Sequence, residues 1–196
     1  MWKINEIFHS LQGEGYHTGT ASVFIRLSGC NLHCDFCDTR HETGTMMSLP
    51  EIVEQVMQYP NAPLIVLTGG EPSLWIDEEF VCGLKAMTGK RIAIETNGTR
   101  ALPDGIDWVT LSPKRGLGDS GEAHVALTRC DELKVVYLGQ DLAQYDDITA
   151  THRYLQPCWM GDEELCRRNL QATVEAVLSH PQWRLSLQTH RILGIR

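Results

Sequence analysis

The sequence predicts an α/β protein built on a parallel, curved sheet that carries fewer helices than strands. Three observations lead there. Short apolar runs alternate with helical stretches along the 196 residues, the pattern of β-α units feeding one sheet. The run Leu64-Ile65-Val66-Leu67-Thr68 is apolar almost throughout, as a parallel strand covered on both faces has to be. Two connections, 98–106 and 115–130, are poor in helical signal, although parallel neighbours are usually joined through a helix. Pro103-Asp104-Gly105 in the first of them is a turn signal.

The elements follow in order. Residues 2–8 alternate weakly and read as a first strand, followed by the polar, Gly-rich Ser10-Leu11-Gln12-Gly13-Glu14-Gly15. Ala21-Ser22-Val23-Phe24-Ile25-Arg26-Leu27 is a clear strand. Ser48-Leu49-Pro50-Glu51 has the capping-box spacing with Pro in the first turn, and Ile52, Val53 and Val56 continue a helical stripe to Tyr59. The apolar strand 64–68 ends in Gly69-Gly70-Glu71-Pro72, and residues 74–87 are the next helix. Strand 91–95 ends in Thr96-Asn97-Gly98, and strand 107–111 ends in Ser112-Pro113-Lys114. Strands 132–137 and 153–157, a helix over 161–178, a last strand over 184–188 and a short tail complete the chain. No repeat, linker or low-complexity stretch divides residues 1–196, which predicts a single domain.

With 42% hydrophobic and 21% charged residues, the composition is that of an ordinary soluble globular domain with a full core. A formal net charge of −8 argues against a nucleic-acid partner. Lys114, Arg115, Arg129 and Lys134 still leave room for a local basic patch. The opening residues lack the apolar stretch of a signal peptide, and no run of about 18 apolar residues offers a membrane span. Of seven cysteines, three are tightly grouped while Cys82, Cys130, Cys158 and Cys166 are scattered. That usage reads as a metal site in a reducing cytoplasm, not a disulfide framework. Cys82 and Cys166 fall on helical stretches and are expected to be plain core or surface residues.

The stretch that organises the chain is Ser28-Gly29-Cys30-Asn31-Leu32-His33-Cys34-Asp35-Phe36-Cys37-Asp38-Thr39. Its C-x3-C-x2-C spacing can wrap three thiolates around one face of a metal centre. A 4Fe–4S cubane held by three cysteines keeps one iron free of protein ligands, open to a substrate or cofactor. The alternative is structural zinc, with His33 or His41 as fourth ligand. Such sites take four tetrahedral ligands, often as two paired knuckles, and no second C-x2-C pair exists here.

Cys30, Gly69-Gly70-Glu71, Glu95-Thr96-Asn97, Ser112-Pro113-Lys114 and Gln156-Pro157 each stand at or just beyond the end of a predicted strand. In barrels and open α/β sheets ligands bind at the carboxyl ends of the strands, so these motifs predict one shared cavity. Taken singly, each is also an ordinary turn, and Lys114 alone would read as a solvated loop lysine. Gly70 lets a ligand's amino group approach its carbonyl. Glu71, Ser112 and Lys114 can meet the polar ends of an amino acid moiety or a ribose.

The cysteine spacing and Gly-Gly-Glu resemble the radical S-adenosylmethionine (SAM) superfamily. The addition of Gln12-Gly13-Glu14-Gly15, Phe24-Ile25-Arg26, Asp38-Thr39, Thr68-Gly69-Gly70-Glu71-Pro72, Glu95-Thr96-Asn97-Gly98, Ser112-Pro113-Lys114, Gln156-Pro157 and Gln188-Thr189-His190-Arg191 makes the chain similar to the 7-carboxy-7-deazaguanine synthases. The matching motifs span nearly the whole chain. The resemblance implies a partial (β/α) barrel with helices missing. It implies conversion of 6-carboxy-5,6,7,8-tetrahydropterin to 7-carboxy-7-deazaguanine with loss of ammonia, for queuosine and other 7-deazapurine pathways. Its cofactors would be a 4Fe–4S cluster, SAM and Mg2+. Its partners would be an electron donor such as flavodoxin or ferredoxin and a second copy in a homodimer, in the cytoplasm.

By the same resemblance Cys30, Cys34 and Cys37 would hold the cluster, and Thr39 the Mg2+. Gly70, Ser112, Lys114 and Gln156-Pro157-Cys158-Trp159 would hold SAM, with Phe36 against the adenine and Asp38, Glu71, Glu95, Asn97 and Pro113 around it. Leu11, Gln12, Gly13, Glu14, Arg26, Thr68, His190 and Arg196 would line the substrate pocket, Arg26 facing the substrate carboxylate. No side chain is expected to serve as a catalytic acid or base. Ile192, Leu193 and Ile195 are expected to anchor the tail by burial. The compact segment 116–130 departs from the family, which varies most in such places. The nearest rival is a radical SAM activating enzyme that installs a glycyl radical on a partner protein. It would not need Gln12, Arg26 and His190 around a small pocket.

Overall fold

The computed structural model describes residues 1–117 and 124–196. Among these described residues nine strands form one open sheet in the order β3-β1-β2-β4-β5-β6-β7-β8-β9. They are β1 (Trp2–Leu11), β2 (Ala21–Leu27), β3 (Thr45–Met47), β4 (Leu64–Gly69), β5 (Arg91–Thr96), β6 (Trp108–Leu111), β7 (Arg129–Tyr137), β8 (Thr149–Pro157) and β9 (Arg184–Leu185). From β2 onward every neighbour pairing is parallel except the edge pair with β1. The sheet curls, so that residues from β1 to β8 line one cavity. This is the curved α/β sheet with fewer helices than strands that the sequence predicts.

Two strands correct the expectation of a wholly parallel sheet. β1 runs antiparallel to β2, and β3 antiparallel to β1. The loop 12–20 between β1 and β2 is too short for a crossover, so only an antiparallel return fits. β3 pairs through Trp2↔Met47, Lys3↔Met46 and Ile4↔Thr45 on the far edge.

Among the described residues four α-helices accompany the sheet: α1 (Leu49–Met57), α2 (Glu78–Thr88), α3 (Glu163–Ser179) and α4 (Thr189–Leu193). The capping box at α1 is formed, with the Glu51 carboxylate accepting from the Ser48 amide at 2.7 Å and its hydroxyl at 2.5 Å. The helix expected over 74–87 is split. Pro72–Leu74 is a 3-10 turn, and α2 starts only where Asp77 caps the Phe80 amide at 2.8 Å. No α-helix joins β5 to β6, and a 3-10 turn (Leu142–Tyr145) is the only helical turn between β7 and β8. Part of the connection 115–130 falls on 118–123, outside the described residues.

Alternation along the strands separates two faces. Val23, Ile25, Leu27, Ile65, Leu67, Ile92 and Ile94 pack against Ile52, Val53 and Val56 of α1 and Phe80, Val81 and Leu84 of α2. Leu111, Leu133, Val135 and Leu155 pack with Ala176 of α3, Tyr145 and Trp183. The concave face carries a small apolar floor of Phe24, Leu64, Val66 and Ala93, with polar residues above it toward the strand ends. No helix among the described residues is long and apolar enough to cross a membrane.

Candidate active site

A cavity of about 350 Å3 opens at the carboxyl ends of the parallel strands, small for a ligand pocket. Register sets its walls. Arg26 on β2 pairs with Thr68 on β4, and Glu95 sits one residue past the Leu67–Ile94 pair. Lys134 on β7 lies one residue past the Leu111–Leu133 pair, and Val136 is level with Gln156 on β8. Every site residue named from sequence lines this cavity except Pro113, which is buried beside it.

The cysteine loop forms one wall. The Gly29 amide donates to the His41 carbonyl at 2.7 Å, and the Cys37 amide to the Cys34 carbonyl at 3.0 Å. The Leu32 amide points at Cys30 Sγ at 3.4 Å. Gly-Gly-Glu packs directly on this loop. The Glu71 amide donates to the Gly29 carbonyl at 2.9 Å, and a Cβ on Gly70 would lie 2.1 Å from that oxygen. Close approach of two backbones therefore requires the glycine.

The fit to a cluster is favourable. Cys30, Cys34 and Cys37 all face the cavity. Burial pushes the Cys30 thiol up, and the charges of Glu71, Cys34 and Cys37 push it further, with the Leu32 amide opposing. A cationic iron centre removes that penalty. Among the described residues no three His, Cys, Asp or Glu side chains converge on one point, as a zinc ion requires. A cubane places each thiolate on a different iron, so no common point is needed.

Glu71 is buried and committed to protein donors. Its oxygens accept from Thr96 Oγ1 at 2.7 Å, the Asn97 amide at 2.7 Å and the Ser73 amide at 3.0 Å. It ties the end of β4 to the end of β5. Glu71→Ala leaves these donors unsatisfied and is expected to cost about 3 kcal/mol or more, read as a lowered denaturant midpoint. Asn97 Nδ2 in turn donates to Asn31 Oδ1 at 3.1 Å, joining β5 to the cysteine loop. Lys114 donates to the Ser112 carbonyl at 2.6 Å and hydroxyl at 2.8 Å. Burial lowers its pKa, against the charges of Cys34, Glu71 and Cys30. Ser186 Oγ donates to Gln156 at 2.9 Å and accepts from the Gly15 amide at 2.9 Å.

The C-terminal segment closes the other side. The Thr189 amide donates to the Gly13 carbonyl at 2.9 Å, and a Cβ on Gly13 would lie 2.2 Å from His190 Nδ1. Arg191 pairs with Asp38 at 2.6 Å and stacks over Trp159 at 4.8 Å. Arg196 pairs with Glu6 and lies over the Phe8 ring. These polar latches correct the expected anchoring by burial: Ile192, Leu193 and Ile195 are 72%, 59% and 40% exposed. A five-residue helix has one face to dock, and here the polar face is docked. Arg26 meets Glu6 through Nε at 2.9 Å and Thr39 Oγ1 through Nη1 at 3.3 Å.

Sequence reasoning missed Glu6, Phe8, Gln188 and above all Lys134. Lys134 reads in sequence as part of a basic patch, and that patch does not exist. Lys134 is buried, Lys114 is half-buried in the cavity, and Arg115 is paired with Asp147 at 2.6 Å. The available signal was its alternation with Glu132 and Val136 on one face of β7.

Residues 24–115 match the model of the Radical SAM superfamily. A 7-carboxy-7-deazaguanine synthase of Bacteroides thetaiotaomicron is 56% identical over 196 residues, covering 100% of both chains. The chain belongs to the 7-carboxy-7-deazaguanine synthase family. The synthase of Nitratidesulfovibrio vulgaris is 40% identical, covering 99% of each chain. The crystal structure of QueE from Escherichia coli superposes with a TM-score of 0.71 at 30% identity, covering 95% of this chain and 93% of that one. Membership of the superfamily implies a 4Fe–4S cluster and SAM, which excludes the zinc-module reading. Full-length similarity to the synthases excludes the activating-enzyme reading.

Proposed function

We propose that the chain converts 6-carboxy-5,6,7,8-tetrahydropterin to 7-carboxy-7-deazaguanine with release of ammonia, in 7-deazapurine biosynthesis. The observation that carries the reading is one cavity. The three cysteines, the strand-end motifs and the Gln12-Gly13-Glu14 loop backed by His190 all meet in it. When bound, the cluster and SAM together supply the 5′-deoxyadenosyl radical that starts the reaction by taking a hydrogen from the substrate. Cys30, Cys34 and Cys37 hold the cluster. Gly70, Ser112, Lys114 and the 156–159 stretch hold SAM, with Phe36 against its adenine. Leu11, Gln12, Gly13, Glu14, Arg26, Thr68, His190 and Arg196 surround the pterin. Arg26 is the cation for the substrate carboxylate, which then competes with Glu6 for the guanidinium. An external reductant of the flavodoxin or ferredoxin type supplies the electron.

Mg2+ is the second metal, with Thr39 as an oxygen ligand suited to a hard cation. Thr39 Oγ1 lies at the cavity wall, between Arg26 and the Asp38 carboxylate at 3.3 Å. Thr39→Ala is expected to raise the Mg2+ concentration needed for turnover several-fold while cluster absorbance is retained. An unchanged Mg2+ titration sinks that role. The function itself is tested by anaerobic incubation with SAM, dithionite and carboxytetrahydropterin, read by mass spectrometry. Formation of 7-carboxy-7-deazaguanine supports it, and SAM cleavage without product overturns it.

A further inference from the structure

Lys134 is an ammonium placed inside the pocket by β7, with a side chain 6% exposed. Its Nζ reaches Glu14 Oε2 from the loop after β1 and, at 3.3 Å, Glu95 Oε1 from β5. Both carboxylates line the cavity; Glu95 has two further anchors and Glu14 one. Glu95 accepts from Gln12 Nε2 at 3.1 Å and from Thr68 Oγ1 at 3.1 Å. Glu14 accepts from Gln188 Nε2 at 2.8 Å. One cation thus joins three segments that the sequence keeps far apart. A buried ion pair contributes little to stability compared with a well-packed apolar replacement, so its presence on the wall of a ligand cavity calls for another reason.

We propose that Lys134 is a positioning residue of the substrate pocket, holding the Glu14 and Glu95 carboxylates ionised and fixed in direction toward the N–H-rich edge of the bound pterin. The inference rests on the pterin reading above. The charges that act on Lys134 are those of Glu14, Glu95 and Glu132, opposed by Lys114 from the loop after β6, and His190 of α4 acts on Glu14. The Glu14 and Glu95 carboxylates against the one Lys134 ammonium leave this wall of the pocket negative, which favours N–H donors and repels the substrate's own carboxylate toward Arg26. Burial alone would push the Glu14 carboxyl up. The charge and hydrogen bond of Lys134, with Gln188 and His190, bring it down to about 2. Burial would likewise lower Lys134, and its carboxylates hold it well above the usual lysine range.

A carboxylate with a depressed pKa stays ionised through neutral pH. Without the ammonium, burial of Glu14 is uncompensated, its pKa rises, and the charged form is lost first at low pH. The probe is 6-carboxypterin, the fluorescent oxidised analogue, titrated into reconstituted enzyme with SAM at weakly acidic to weakly alkaline pH. Wild type is expected to bind with little pH dependence. Lys134→Met is expected to bind about tenfold or more weakly, with the deficit growing as pH falls, while cluster absorbance and SAM affinity persist. Lys134→Arg keeps the charge and is expected to restore the flat profile. Should Lys134→Met not fold, Lys134→Gln, which keeps a polar side chain facing Glu14 and Glu95 but removes the charge, carries the same test. Wild-type binding by Lys134→Met, or an equal loss in the Met and Arg variants at every pH, overturns the proposal. Wild-type enzyme that neither binds nor converts the pterin overturns the function instead.

Discussion

Replacing any one of Cys30, Cys34 and Cys37 with alanine is expected to abolish iron–sulfur absorbance and SAM cleavage together. In the proposed site each thiolate would be the only protein ligand of its iron, with the fourth iron left for SAM. The loss should not be rescued from within the chain. Cys82 is exposed on α2, Cys130 is buried on β7 and Cys166 lies on α3. Cys158 alone of these lines the cavity, but burial pushes its thiol up to about 11, and the thiolate is the metal-binding form. Cys82→Ala should retain about four irons per chain and full activity. Anaerobic reconstitution followed by iron analysis checks both. A brown Cys34→Ala protein beside a colourless Cys158→Ala one would refute the ligand assignment.

The parts of the fold that could be read from sequence are those where local pattern and burial agree. Residues 64–68 are apolar because β4 is covered on both faces, and a polar motif follows β2, β4, β5, β6 and β8 because the cavity lies there. The edge was not legible. β3 is three residues long with two exposed positions, and only its pairing with β1 makes it a strand. The tail misled for a related reason. Its apolar residues suggest burial, yet Ile192 and Leu193 face outward while Thr189, Arg191 and Arg196 make the contacts. Lys134 was hidden because a lysine in sequence reads as solvated. Three carboxylates from β5, β7 and the loop after β1 stabilise it inside, and such long-range compensation leaves no local trace. The site residues that were legible sit in short motifs. Those that were not act through neighbours distant in sequence.

Gly70→Ala is expected to leave a folded protein that cannot hold its cluster. The new Cβ would sit 2.1 Å from the Gly29 oxygen and 3.0 Å from Cys30 Cβ, inside van der Waals contact with groups that cannot rotate away. Something must move. The end of β4 is locked to β2 by the Leu27–Gly69 register and by the fully buried Leu27 and Leu67. The cysteine loop, with Cys37 exposed and Cys34 only half-buried, is the softer side. Overpacking of this kind typically costs about 1–3 kcal/mol, less than the about 5–15 kcal/mol that holds a domain together, so the fold survives. Displacing Cys30 relative to Cys34 and Cys37 breaks the three-point geometry that the cluster requires, and it breaks the Glu71 amide bond to Gly29 as well. The competing account is that Gly70 matters only because its carbonyl meets the amino group of SAM. On that account Gly70→Ala keeps its iron and loses SAM affinity. Iron content, melting temperature and SAM binding measured on one reconstituted sample separate the two: full iron with weakened SAM binding favours the carbonyl alone, and a small drop in melting temperature with iron lost favours the close approach of the two loops.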